Sequence, residues 1–153
     1  MGTTQPPLKE RAAITNWCAN DNYTHAITLN TDRELTLPRL RSICSTFCHR
    51  LDKRVLRVRN LSGIPVESRT RAIFFPENLE TNAHLHGLAD FAHALQTLGS
   101  EGLLKMEVRF AWMAATRGAG SVHLESAPDR GWAEYSTKGF DGTYFLAADF
   151  HPQ

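Results

Sequence analysis

Cysteine is scarce in this 153-residue chain: only Cys18, Cys44 and Cys48 are present. So small and odd a number argues against a disulfide framework and fits a reducing cytoplasm. Long apolar runs are missing too; none approaches the roughly 20 residues of a membrane span. The N-terminal stretch is polar, with Pro6-Pro7 and Lys9-Glu10-Arg11, and has no apolar signal region. There is no internal repeat and no low-complexity segment. Net charge is nearly absent, at +1. What remains is an ordinary soluble composition and enough residues for one domain with its own core.

The small net charge conceals an asymmetry. Between Arg33 and Arg71 there are ten Lys or Arg and three acids, Glu34, Asp52 and Glu67. An excess of seven positive charges in a quarter of the chain suggests a polyanionic partner. A solvated helix face followed by a loop gives the same count, so charge alone does not separate the two readings.

Residues 1–20 read as an arm or short leading helix, and 21–153 as a single domain. Tyr23 to Asn30 is rich in β-branched and aromatic residues and ends in a polar turn, which predicts a first strand. Thr36 is an N-cap with Pro38 just inside the helix. Leu37, Leu40, Ile43, Cys44, Phe47 and Leu51 then recur at helical spacing, predicting a helix from Leu37 to about Lys53. Arg39, Arg41, Arg50 and Lys53 lie on its polar side. Arg54 to Arg69 reads as a basic loop with at most one short strand. Strands follow at Thr70–Phe75 and Asn82–Ala89, joined by a hairpin connection through Pro76–Thr81. Ser100 caps a helix from Glu101 to about Arg117, ended by Gly118 and Gly120. Ser121–Ser126 is a fourth strand, Ala127–Gly131 a turn, Trp132 to about Phe140 a short helix, and Thr143–Ala147 a last strand.

Three groups of residues bear chemistry. The first is Asn82-Ala83-His84-Leu85-His86-Gly87. Alternate residues of a strand share a face, so both imidazoles point one way and can be aimed at one divalent cation. Hydrogen-bonded histidines without a metal give the same pattern. A third ligand completes a site, and Glu77 is the best candidate because the hairpin can fold it back; Glu80 and Asp90 are also close in sequence. The second group is Tyr135-Ser136-Thr137-Lys138, where positions three apart share a helix face. The lysine favours the phenolate and can neutralise a phosphate, and an activated tyrosine is a competent nucleophile. A half-buried tyrosine beside a solvent lysine is the plain alternative. The third is Cys44 and Cys48 followed by His49; Cys44 belongs to the apolar stripe, so both thiols read as small buried hydrophobes. His25, His93, His123 and His151 receive no role.

In order, these pieces resemble the HUH endonucleases, in particular the rolling-circle replication initiators of plasmids and single-stranded DNA phages. Ala26-Ile27-Thr28-Leu29-Asn30 is similar to the family's first-strand motif, with Asn at the last position. His84-Leu85-His86 with Gly87-Leu88 matches the two-histidine motif. Gly120–Glu125 and then Tyr135-Ser136-Thr137-Lys138 resemble the strand and nucleophile motif, Tyr-x-x-Lys. The likeness spans about residues 23–140.

The resemblance implies an α/β sandwich of the HUH/RRM-like kind: a central antiparallel sheet of about five strands, with helices packed mainly on one face. It implies that His84, His86 and a third ligand such as Glu77 hold Mg²⁺ or Mn²⁺, that Tyr135 attacks a phosphodiester to leave a 5′-phosphotyrosyl adduct, and that Lys138 assists. No second tyrosine follows one turn after Lys138, and Tyr144 lies nine residues beyond Tyr135, so a single-tyrosine enzyme is expected. The implied partner is single-stranded DNA, such as a replication origin with a hairpin, in the cytoplasm of a bacterial host; the 153 residues have no room for a helicase domain, so either a host helicase is recruited or the chain is a nuclease domain of something longer. Arg39, Arg41, Arg50, Arg54, Arg57 and Arg59 would track phosphates, and Trp17, Tyr23 or Trp132 would stack on bases. Two other readings stay open: a different metal-dependent phosphoesterase or hydrolase, and a non-catalytic binder of single-stranded nucleic acid.

Overall fold

Five short strands satisfy one another's backbone groups in a single antiparallel sheet, ordered β4-β1-β3-β2-β5. The strands are β1 (His25–Asn30), β2 (Arg71–Glu77), β3 (His84–Asp90), β4 (Ser121–Ser126) and β5 (Phe145–Leu146). Five α-helices accompany them: α1 (Leu8–Asn20), α2 (Leu37–Leu56), α3 (Ala92–Leu98), α4 (Glu101–Ala115) and α5 (Arg130–Thr137). The structure is a computed structural model and describes residues 8–126 and 130–151. The predicted turn at 127–131 therefore falls mostly outside the described residues.

Strand alternation sorts the side chains into two layers. Ile27, Leu29, Phe74, Leu85 and Ala89 face one side, where they meet Leu40, Ile43, Cys44, Phe47, Leu51 and Val55 of α2 and Leu104, Val108, Ala111 and Trp112 of α4. Ala94 and Leu98 of α3 close the end of this main core. Ala26, Ile73, Phe75 and Leu88 face the other side and pack with Cys18 of α1, Ala133 of α5 and Phe140. The architecture is thus an α/β sandwich, with three helices over one face and α1 and α5 over part of the other. The uncovered part is the β1–β4 half, where Ser121, His123 and Glu125 are exposed.

Local chemistry explains the boundaries. Thr36 caps α2 through Arg39 N, and Pro38 occupies its first turn. The helix runs past Lys53 to Leu56 because Val55 continues the buried stripe one turn beyond Leu51; Arg57 then turns left-handed, at φ 56°, and ends it. The segment expected to be a basic loop is therefore helix at its start. Beyond it there is no strand, only a 3-10 turn at Val66–Ser68. Arg69 pins this segment by donating to the carbonyls of Leu61 (3.0 Å) and Ile64 (3.2 Å). The buried Asp52 carboxylate accepts from Thr70 N at 2.9 Å, and burial raises its pKa. Cys44 and Cys48 are both buried as expected, and Cys48's thiol is shifted upward.

Two glycines are required by close approach. A Cβ on Gly87 would lie 2.7 Å from both the Ile73 carbonyl and Phe74 Cδ1. At Gly120, where φ is +88°, a Cβ would come 1.9 Å from the Asn30 carbonyl oxygen, which accepts from Trp112 Nε1 at 2.7 Å.

Candidate metal centre and tyrosine

β2 and β3 assemble the cluster by register. Glu77 pairs with His84, and Phe75 with His86; on the other flank Thr28 of β1 pairs with His86 and Asn30 with His84. Cross-strand partners project to the same face. Glu77 therefore meets both imidazoles as the last residue of β2. The sheet, not a fold-back of the hairpin loop, positions it.

The three side chains converge tightly. Glu77 Oε2 lies 2.8 Å from His86 Nε2 and 3.3 Å from His84 Nε2, and the two Nε2 atoms are 3.0 Å apart. The outer nitrogens are also engaged. His84 Nδ1 sits 2.9 Å from the Asn82 carbonyl, which can only accept, so Nδ1 is the donor and Nε2 faces the cluster. His86 Nδ1 lies 3.2 Å from Thr28 Oγ1. Burial, foremost, lowers the His86 pKa to about 4 against the opposing pull of Glu77; His84 and Lys138 lower it further. Burial thus favours the neutral imidazole, the form that can act as a ligand. Outer hydrogen bonds of this kind orient metal-bound histidines.

Such a cluster is held together either by one proton shared among these atoms or by one cation. Its dimensions, which are those of hydrogen bonds, also allow a cation. Adjacent ligands of an octahedron with bonds of about 2.1 Å lie about 3.0 Å apart, close to the three measured separations. Two imidazoles and one carboxylate are a donor set that could hold a divalent metal ion. Among the described residues this is the group of three His, Cys, Asp or Glu side chains whose ligand atoms converge, all within 4.8 Å. Glu80 is exposed and outside it; Asp90 stands at the far end of β3, held by Arg71 at 3.5 Å.

α5 brings the phenol alongside. The rings of His86 and Tyr135 meet edge to face, with centroids 4.9 Å apart, and Tyr135 is 43% exposed. Lys138 follows the last turn of α5, its Nζ 4.3 Å from the centroid of the Tyr135 ring. The predicted shared face of these two residues is thus observed, although the helix ends at Thr137. Trp132 stands 5.7 Å from Tyr135. α5 is anchored to α1 by the Thr15–Thr137 hydroxyl pair at 2.7 Å and by Arg11 donating to the Lys138 carbonyl. Gly139 leaves room for the carboxylate: a Cβ there would lie 3.2 Å from Glu77 Oε1. Thr28, Asn82 and Gly139 carry no role legible in the linear sequence; Thr28 belongs to the first-strand motif, but its contact with His86 is a matter of strand pairing.

The other expected residues lie elsewhere. Arg39, Arg41, Arg50 and Arg54 are on α2, across the sheet from the histidines. Arg54 is already paired with Glu107 at 2.6 Å, and Arg41 stacks on Phe150 at 4.9 Å. Arg57 and Arg59 are exposed beyond the helix end. Of the three candidate stacking aromatics, Trp132 is beside the site. Trp17 and Tyr23 instead line a cavity of about 400 Å³ at the Arg71–Asp90 end of the sheet.

No protein-family model, no curated protein and no solved structure matches this chain. No helix among the described residues is long and apolar enough to cross a membrane.

Proposed function

We propose that the protein is a metal-dependent endonuclease and strand transferase that nicks and rejoins single-stranded DNA through Tyr135, as in the initiation of rolling-circle replication. The observation that carries this reading is the double engagement of His86. Its Nε2 lies 2.8 Å from Glu77 within the converging donor set, while its ring contacts an exposed tyrosine at 4.9 Å. A core histidine needs neither arrangement.

His84, His86 and Glu77 hold the cation, Mg²⁺ or Mn²⁺. When bound it supplies Lewis-acid polarisation of the scissile phosphodiester. The Tyr135 oxygen gives up its proton and forms a bond to phosphorus as the P–O3′ bond breaks, leaving a 5′-phosphotyrosyl ester, while the departing 3′-oxygen takes up a proton to become the 3′-hydroxyl. Attack by a second 3′-hydroxyl reverses the exchange, so joining needs no nucleotide cofactor. Lys138 sits over the same ring and neutralises charge on the phosphoryl oxygens. The open β1–β4 half of the sheet and Trp132 offer the single strand a surface next to the nucleophile.

Incubation with a pool of single-stranded oligonucleotides and Mn²⁺, followed by a denaturing gel, tests the reading. A protein–DNA adduct that chelator abolishes is expected. Cleavage without an adduct would replace it with a hydrolase, and DNA binding without cleavage with a non-catalytic binder.

A further inference from the structure

The basic residues of α2 do not serve the tyrosine face, and their arrangement has its own logic. Arg39, Ser42, Thr46 and Arg50 of α2 line a groove of about 210 Å³ against α4, and Arg117 closes its other wall. Arg117 lies just past the end of α4 in a left-handed conformation, φ 58°. A second hollow of about 310 Å³ adjoins it, sharing Thr46 and Arg50 and adding Ser45, His49 and Lys53. Neither hollow has a carboxylate in its lining. Among the described residues, Arg39, Arg50, Lys53 and Arg117 have no ion-pair partner, whereas the neighbouring Arg54 is neutralised by Glu107. The environment registers this field: after burial, Lys53, Arg69 and Arg50 are what lower the His49 pKa.

We infer that this groove, on the sheet face opposite the metal cluster, is a separate binding site for the phosphate backbone of a double-stranded nucleic acid. Four uncompensated cations interleaved with the hydroxyls of Ser42 and Ser45 match phosphate oxygens, while Thr46 donates to the Ser42 carbonyl at 3.2 Å. From Arg39 to Lys53 the charges run along about 21 Å of rigid helix, the rise of about six base pairs at 3.4 Å each. Single strands are bound on aromatic stacking platforms. Here the lining holds two rings, the small imidazole of His49 and Phe150, and Phe150 is covered by Arg41. A duplex, whose bases are already stacked, needs no such platform.

The site is tested apart from any cleavage, which keeps its failure distinct from that of the proposed function. Anisotropy titrations of the Tyr135→Phe protein in chelator would use a short labelled duplex, a single strand of equal length, and vesicles of anionic phospholipid. Adding Arg39→Ala and Arg117→Ala is expected to weaken duplex binding about tenfold and to reduce the salt slope by about two; Arg39→Lys with Arg117→Lys restores the slope. An unchanged slope in the alanine variant, tighter binding of the single strand, or an equal loss on vesicles would overturn the inference. All four substitutions are at exposed positions, so an unaltered melting midpoint certifies the fold.

Discussion

Tyr135 stands edge-on to His86, with ring planes at 76° and centroids 4.9 Å apart. Removing only the hydroxyl leaves that packing in place. Tyr135→Phe is expected to abolish adduct formation, a loss on the order of a thousandfold or more for a deleted nucleophile, while stability changes by about 0.5 kcal/mol or less. A thermal melt beside the adduct assay checks both. Full activity in the phenylalanine variant would move the nucleophile to another side chain.

Glu77 brings the cluster its negative charge. Glu77→Gln keeps the shape and removes that charge, so Mn²⁺ affinity should fall at least about tenfold, near 1.4 kcal/mol. Titration followed by electron paramagnetic resonance of free Mn²⁺ gives the number. Equal affinity in both proteins would show that the ion, if bound, is held elsewhere.

Gly87 sits between the site and the core. With a Cβ 2.7 Å from a backbone carbonyl and from the Phe74 ring, Gly87→Ala should cost about 2 kcal/mol through overpacking. That corresponds to a drop of roughly 4–8 °C in melting midpoint for a chain of this size. An unchanged midpoint would mean that β2 and β3 are less tightly paired than described.

Asp52 gives a pH-dependent prediction. It is buried beside Arg69, His151 and Cys48, and burial raises its pKa above the ordinary value of 3.8. A raised carboxyl pKa means the folded state holds the proton more tightly than the unfolded one. The resulting stability is fully present below 3.8 and is lost as pH rises through the folded value. Asp52→Asn keeps an acceptor for Thr70 N without the charge. Its midpoint should exceed the parent's at pH 7, and the gain should shrink as pH falls. A lower midpoint at pH 7 would show that the ionised carboxylate stabilises the fold through Arg69.

Much of this was legible in the sequence, for local reasons. The stripe from Leu37 to Leu51, the caps at Thr36 and Ser100, and the alternation around His84 and His86 are written in consecutive residues. Glu77 was also reachable, though by the wrong route: its place depends on a register that a linear reading does not contain. The same holds for Thr28, whose contact with His86 crosses from β1 to β3. The short helix α3 passed unassigned because it spans two turns and starts without a side-chain cap. The basic block was visible as composition, but the face of the sheet it occupies was not. Arg117 lies 67 residues beyond Arg50, and only the packing of α2 on α4 makes them neighbours.

The most direct test of the account is where the DNA becomes attached. The protein would be trapped with a cleaved single strand in Mn²⁺, digested with protease and nuclease, and the modified peptide sequenced by mass spectrometry. The account predicts a 5′-phosphonucleotide on Tyr135 that is absent when His86→Ala protein is used. Attachment at Tyr144 or Tyr23, or cleavage with no modified tyrosine, would contradict it.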